Sequence, residues 1–225
     1  MFCQRPAALG RNETQRPTAH PVMAIDAQLG LIVLAGGLGT RVGGANKALL
    51  SLNGQPLLAH ILRQLGRCSE HIIISANRDI AQIQDYGYPV YPDLPAYTQM
   101  GPLAGIISAA QALPEHIEYL QIVPCDLPLL NADIITRLYQ ELHKQPELDI
   151  VCAADAGNLH PIVCQMRRRH LQHIQQQLNS SGKHSVRSII QPYRHAIVTF
   201  ADSTPFTNYN SSAMFTSTRS GATTS

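Results

Sequence analysis

The chain has 225 residues, a formal net charge of +2 and only 14% charged residues. That length buries a full hydrophobic core, and so mild a charge excludes binding nucleic acid through general basicity. No apolar run approaches the roughly 18–20 residues that a membrane-spanning helix needs, and no RRM, zinc-finger or helix-turn-helix pattern occurs. Five cysteines (Cys3, Cys68, Cys125, Cys152 and Cys164) are scattered without a C-x-x-C pair. An odd, unpatterned set suits reduced thiols in a cytoplasm rather than a disulfide scaffold or a zinc site.

Residues 1–28 mix Pro, Arg, Asn, Thr and His with no apolar periodicity and no h-region of a secretory signal, so they read as a disordered extension. Met23 is a candidate true start. Residues 29–210 read as one domain, and 211–225 as a flexible tail of small polar residues.

The domain opens on Leu31-Ile32-Val33-Leu34, an apolar run suited to a strand buried on both faces. A loop follows with Gly36, Gly37, Gly39, Gly43 and Gly44, and with Arg41 and Lys47 as its only charges. Glycines let backbone approach a ligand closely, consecutive N–H groups can form an anion nest, and the two cations supply countercharge for phosphates. It is not a P-loop, because Ala45 follows Gly44 where Lys-Ser/Thr is required. Nor is it the dinucleotide fingerprint, which needs glycine at the position of Val42.

After Ala48–Leu52 comes an Asn53-Gly54 turn, then a helix from Pro56 with Leu57, Leu58, Ile61, Leu62 and Leu65 on one face. Residues 71–75 form a β-branched strand ending near Asn77. A weaker helix reaches Tyr86, and a short strand at 89–91 ends near Asp93. Residues 101–112 read as a helix with small residues for close packing, and 119–123 as a strand running into Pro124-Cys125-Asp126. Asn131 caps a helix over 132–143. Strands near 149–153 and 161–165, helices over 168–178 and 185–190, and a strand at 196–200 complete the pattern.

This alternation predicts an α/β fold with a mostly parallel sheet and helices on both faces, where ligands bind at the carboxyl ends of the strands. The glycine loop, Ser75 and Asn77, Asp93 and Asp126 all fall at such ends. Asp126 is suited to Mg²⁺, which is usually held by one or two carboxylates together with substrate phosphates, or else is a helix cap or loop acid. Asp93 can accept from ribose hydroxyls or from the donor edge of guanine, or sit in a turn beside Pro95. Ser75 and Asn77 contact base or ribose, or merely end a strand. Between residues 156 and 201 there is no Asp or Glu, yet there are six Lys or Arg residues. Arg167, Arg168 and Arg169 read as a solvated helix face, and Lys183 and His184 as contacts for an anionic second substrate. His160 is a turn residue or a substrate contact, and Asn208 and Asn210 bond to ligand or backbone.

LAGGLGTRVGGANKALLSLNGQPLL, ANR at 76–78, PD at 92–93, GPLAGI at 101–106, PCDLP at 124–128, HP at 160–161 and FTNYN at 206–210 together resemble the molybdenum cofactor guanylyltransferases. The resemblance runs in order over about residues 30–212. It implies a Rossmann-like nucleotidyltransferase fold and transfer of GMP from Mg–GTP to molybdopterin-bound molybdenum cofactor, with release of pyrophosphate. It further implies GTP contacts from Leu34, Ala35, Gly36, Gly37, Lys47, Asp93 and Asp126, with Mg²⁺ on Asp126. Arg41, Lys47 and Asp126 would carry catalysis, and Asn208 and Asn210 would meet the acceptor. A cytoplasmic monomer in transient contact with cofactor-synthesis proteins and molybdoenzymes is the expected setting. Ser75 stands where relatives commonly have asparagine, and His184-Ser185 where an arginine is expected. The alternatives are a cytidylyl- or sugar-nucleotide transferase, or a non-catalytic nucleotide-binding protein.

Overall fold

A computed structural model describes residues 24–36, 46–98, 100–180 and 185–209. Among these residues nine strands and six α-helices follow one another as β1 (Leu29–Leu34), β2 (Ser51–Leu52), β3 (Gln55–Pro56), α1 (Leu57–Leu65), β4 (His71–Ser75), α2 (Ile80–Gln84), β5 (Val90–Tyr91), α3 (Pro102–Gln111), β6 (Tyr119–Pro124), α4 (Ala132–Lys144), β7 (Ile150–Asp155), β8 (Asn158–Arg167), α5 (Leu171–Ser180), α6 (Val186–Ile190) and β9 (His195–Phe200). Seven of the strands form one sheet in the order β5-β4-β1-β6-β8-β7-β9, and β2 and β3 form a separate hairpin.

Alternation along β1 explains the two layers. Leu31 and Val33 point into one core with α1, α2 and α4, and Ile32 and Leu34 into a second core with α3, α5 and α6. β1 and β7 are buried at every position because both of their faces are covered, as expected for interior strands of such a sheet, whereas the edge strand β9 alternates with solvent. β1 pairs in parallel with β4 and β6, β4 with β5, and β7 with β9.

β8 runs against that direction, antiparallel to both β6 and β7. It is also longer than the pattern around residues 161–165 predicts, because it starts at Asn158 straight after a turn through Ala156 and Gly157, whose φ of +103° favours glycine. The register slips between Cys152 and Ala153, which pair with Cys164 and His160 respectively. Pro161 falls inside that bulge, where its missing N–H breaks no ladder bond. The expected helix from residue 168 starts later, since Arg168–His170 is a 3-10 turn leading into α5.

Two further differences are local. Asn53 and Gly54 both have positive φ (+52° and +79°), closing the β2–β3 hairpin in the manner of a mirror-image turn. Residues 24–28, read from composition as part of the extension, are tied to the domain. Ile25 N–H bonds to the Cys68 carbonyl at 3.0 Å, and Asp26 accepts from the Gln28 N–H and from the Tyr139 hydroxyl. No described helix is long and apolar enough to cross a membrane. The four described cysteines are all free and buried.

Candidate active site

Strands β1, β4, β5 and β6 end on one rim, and the backbone ties those ends together. Ala35 N–H donates to the Ser75 carbonyl at 2.8 Å, Ala76 N–H to Tyr91 at 3.0 Å, and Cys125 N–H to Leu34 at 3.0 Å. This brings Leu34, Ala35, Gly36, Ser75, Asn77, Asp93 and Asp126 into one neighbourhood, as their positions at strand ends predict. A cavity of about 620 Å³ opens there, with Gly36, Asn46, Ser75, Asn77, Asp93 and Gly105 among its lining residues.

Lys47 and Asp126 stand beside it. Asn46 accepts from the Ala48 N–H at 3.1 Å and starts a single 3-10 turn that carries Lys47 inward. The Lys47 ammonium donates directly to Oδ2 of Asp126. Their side chains are 24% and 18% exposed, so the pair is partly sheltered yet open to a ligand. Cys125, between Asp126 and the core, is chemically quiet. Burial first, and the Asp126 charge second, push its thiol up to about 12.

The far wall is α3. Its first residues, Gly101 and Pro102, line the cavity, and Gly101 adopts φ +70° and ψ −157°, a region open essentially to glycine alone. Pro102 takes the first helical position, where no N–H is needed. Gly105 is required for a different reason. A Cβ there would lie 2.4 Å from the Ser75 Oγ, and Ser75 is itself buried in the cavity floor. Asn46 and Gly101 were not singled out by residue-level reasoning, and the glycine–proline step at 101–102 was the signal available, whereas Gly105 was expected among the small residues that let this helix pack closely on the sheet.

Asp93 is held by Asn77 from two sides: the Asn77 Nδ2 donates to its Oδ2 at 2.8 Å, and its own N–H donates to the Asn77 Oδ1 at 2.8 Å. Burial raises the Asp93 carboxyl above its usual range, and the Asn77 bond partly offsets this.

The same rim continues across β8, β7 and β9. His160 Nε2 lies 3.2 Å from Asp155 Oδ1, and the imidazole stacks on Phe206 with centroids 4.5 Å apart. Burial alone would raise the Asp155 carboxyl, but bonds from Ser203, His160 and Asn158 hold it below the ordinary carboxylate range. His160 is therefore a half-buried strand neighbour of Asp155 rather than a polar turn residue. The segment after β9 returns to the nucleotide side, where Tyr209 N–H donates to the Asp126 carbonyl at 2.9 Å. Asn208 is exposed next to that bond. Gly37, Arg41, Lys183, His184 and Asn210 lie outside the described residues.

Arg167 and Arg168 do not form a solvated face. Arg168 donates to the carbonyls of Ala110 (3.1 Å), Leu113 (3.0 Å) and Pro114 at the end of α3. Arg167 does the same for Leu142 (3.0 Å) at the end of α4 and for Leu148 (2.8 Å). Both are helix C-terminal clamps. A cavity of about 770 Å³ bordered by Arg167, Arg168 and Arg169 lies at the opposite end of the sheet. With Arg167 and Arg168 committed to backbone carbonyls and Arg169 paired with Asp149, it is a poor anion site.

A strand-end cavity on a mostly parallel sheet, with a lysine–carboxylate pair beside it, is the architecture of an α/β fold of the nucleotidyltransferase kind. The chain belongs to the MobA-like NTP transferase domain family, whose model matches residues 31–197. It is 34% identical over 184 residues to a molybdenum cofactor guanylyltransferase of Shewanella frigidimarina, covering 81% of this chain and 91% of the relative. It is 36% identical over 157 residues to one of Rhodopseudomonas palustris, covering 68% of each. In fold it is similar to molybdopterin-guanine dinucleotide biosynthesis protein A of Archaeoglobus fulgidus, with a TM-score of 0.66 at 18% identity over 81% of this chain and 93% of that one. A 4-diphosphocytidyl-2C-methyl-D-erythritol synthase of Anaerococcus prevotii also shares the fold, with a TM-score of 0.66 at 11% identity over 83% and 92%.

Proposed function

We propose that this protein transfers GMP from GTP to the terminal phosphate of molybdopterin-bound molybdenum cofactor. The products are the guanine dinucleotide form of the cofactor and pyrophosphate. The observation that carries this reading is the direct Lys47–Asp126 contact beside the strand-end cavity. It sets a phosphate-binding cation against a carboxylate at the rim where nucleotides bind in such sheets.

Asp126 fits magnesium by the chemistry of its donor. It offers a hard carboxylate oxygen, and among the described residues there is no cluster of three His, Cys, Asp or Glu. Magnesium asks for one or two carboxylates and takes its remaining ligands from phosphates and water. Bound there, the ion supplies charge neutralisation to the phosphate oxygens.

The protein's own contribution is positioning and electrostatics. The cavity holds the nucleoside between Gly36 and Asp93, and Lys47 turns from Asp126 to the phosphates as the nucleotide arrives. An oxygen of the acceptor phosphate attacks the α-phosphorus and forms the new P–O bond. The α–β bridging bond breaks, and its electron pair leaves with pyrophosphate. Lys47, together with Arg41, offsets the charge that builds on that leaving group. Asn208 and Asn210 meet the acceptor. No covalent intermediate is required.

The test is pyrophosphate release by the purified protein given GTP, Mg²⁺ and molybdopterin-bound molybdenum. Release that requires the acceptor, and that CTP does not replace, is the expected outcome. A preference for CTP, or no release with either nucleotide, overturns guanylyl transfer.

A further inference from the structure

β5 is two residues long and pairs with β4 at only Ile74–Val90 and Ser75–Tyr91. A ladder that short fixes the chain at Tyr91 and leaves Asp93, two residues on, to be placed by other means. Side chains do this. Asn77 bonds both the N–H and the carboxylate of Asp93, each at 2.8 Å, and Ser108 on α3 accepts the next N–H, that of Leu94, at 2.9 Å. Asn77 in turn is seated by the end of β4 and lies against Gly36, where a Cβ would be 3.6 Å from its Nδ2. Its carbonyl oxygen and one amide hydrogen are both spent on Asp93. Its role toward a ligand is therefore exerted through Asp93, which lines the cavity as an acceptor.

We propose that Asn77 is a positioning residue for nucleoside selection, locking the Asp93 carboxylate in the orientation that accepts hydrogen bonds from a pair of donors on the nucleoside. The inference rests on the cavity being the nucleotide site. Two donor pairs have the right chemistry: the N1–H and 2-amino group of guanine, and the 2′- and 3′-hydroxyls of ribose. A carboxylate accepting from such donors discriminates against analogues that lack them, provided it cannot rotate away. Ser75 is buried against Gly105, and Asn77 and Asp93 face one another in a lining that also holds the polar side chains of Asn46, Arg78 and Thr98.

The experiment is equilibrium binding of GTP, ITP, 2′-deoxyGTP and 3′-deoxyGTP, each with Mg²⁺, to the wild-type protein and to Asn77→Ala, Asn77→Asp and Asp93→Asn. The wild type is expected to disfavour ITP or a deoxy analogue. Asn77→Ala should weaken GTP by roughly tenfold or more and bring the GTP-to-analogue ratio toward one. Asn77→Asp, which cannot donate, should do the same, and Asp93→Asn should collapse the same ratio. Collapse on the ITP arm assigns the donors to the base, and collapse on a deoxy arm assigns them to the ribose. Uniform weakening with the ratios preserved, unchanged affinity, or a wild type that discriminates none of the analogues overturns the proposal. If the wild type binds CTP more tightly than GTP, guanylyl transfer falls instead. The same deoxy comparison made with CTP then still judges Asn77.

Discussion

Lys47 and Asp126 form an ion pair in the free protein, and the proposed reaction exchanges that pair for two new interactions, lysine with phosphate and carboxylate with metal. Asp126→Ala is therefore expected to remain folded and lose turnover altogether, measured as pyrophosphate release. Lys47→Ala should lose about 10²–10³ in rate, the scale for one electrostatic contact to developing charge. Near-wild-type turnover in either variant contradicts the assignment.

A second titratable pair on this rim has a different consequence. The Asp155 carboxyl is held below its ordinary value, so its folded pKa is lower than its unfolded one. Its contribution to stability is present above the unfolded value, near ~3.9, and is lost as pH falls through the folded one. Asp155→Asn should accordingly be less stable than wild type at pH 7, with the gap in melting temperature closing below about pH 4. A gap that is constant with pH contradicts this.

Elements are held by side chains that pattern reading assigned elsewhere. Arg168 leaves the end of β8 and satisfies the last carbonyls of α3, the helix whose other end lines the cavity. Arg168→Ala is expected to cost about 2 kcal/mol, read as a lower denaturation midpoint, while GTP affinity falls little. Gly105→Ala inverts that profile by driving a methyl into Ser75 on the cavity floor. It should weaken nucleotide binding, with partial recovery in the Ser75→Ala, Gly105→Ala double variant. In that double variant the remaining contact to the Ser75 Cβ is 3.3 Å.

The strand ends were legible in the sequence because apolar runs broke at polar residues, and Leu34, Ser75, Asp93 and Asp126 do share a rim. The reversal at β8 was not, although Ala156-Gly157 is a two-residue turn that permits only antiparallel strands. Placing the strands at 149–153 and 161–165 hid it, since Pro161 looked like a strand start and sits in a bulge. The clamps at Arg167 and Arg168 were illegible for another reason. Charge spacing shows which face of a segment a side chain takes, and the helix ends they reach are more than twenty residues away.

At the scale of the molecule the rim divides in two. β5, β4 and β1 frame the strand-end cavity, while β8, β7 and β9 carry the Asp155–His160–Phe206 cluster, with β6 and Asp126 between them. The bond from Tyr209 to the Asp126 carbonyl links the halves. In the proposed reaction the nucleotide and the acceptor approach Asp126 from these two sides. The central claim is that Asp126 and Lys47 receive a metal-bound triphosphate. Calorimetric titration of GTP with and without Mg²⁺, on wild type and on Asp126→Ala, tests it most directly. Magnesium should tighten GTP binding to the wild type by about tenfold or more, the scale of a hydrogen-bonded charged contact, and have little effect on the variant. An equal effect of magnesium on both proteins would contradict the account.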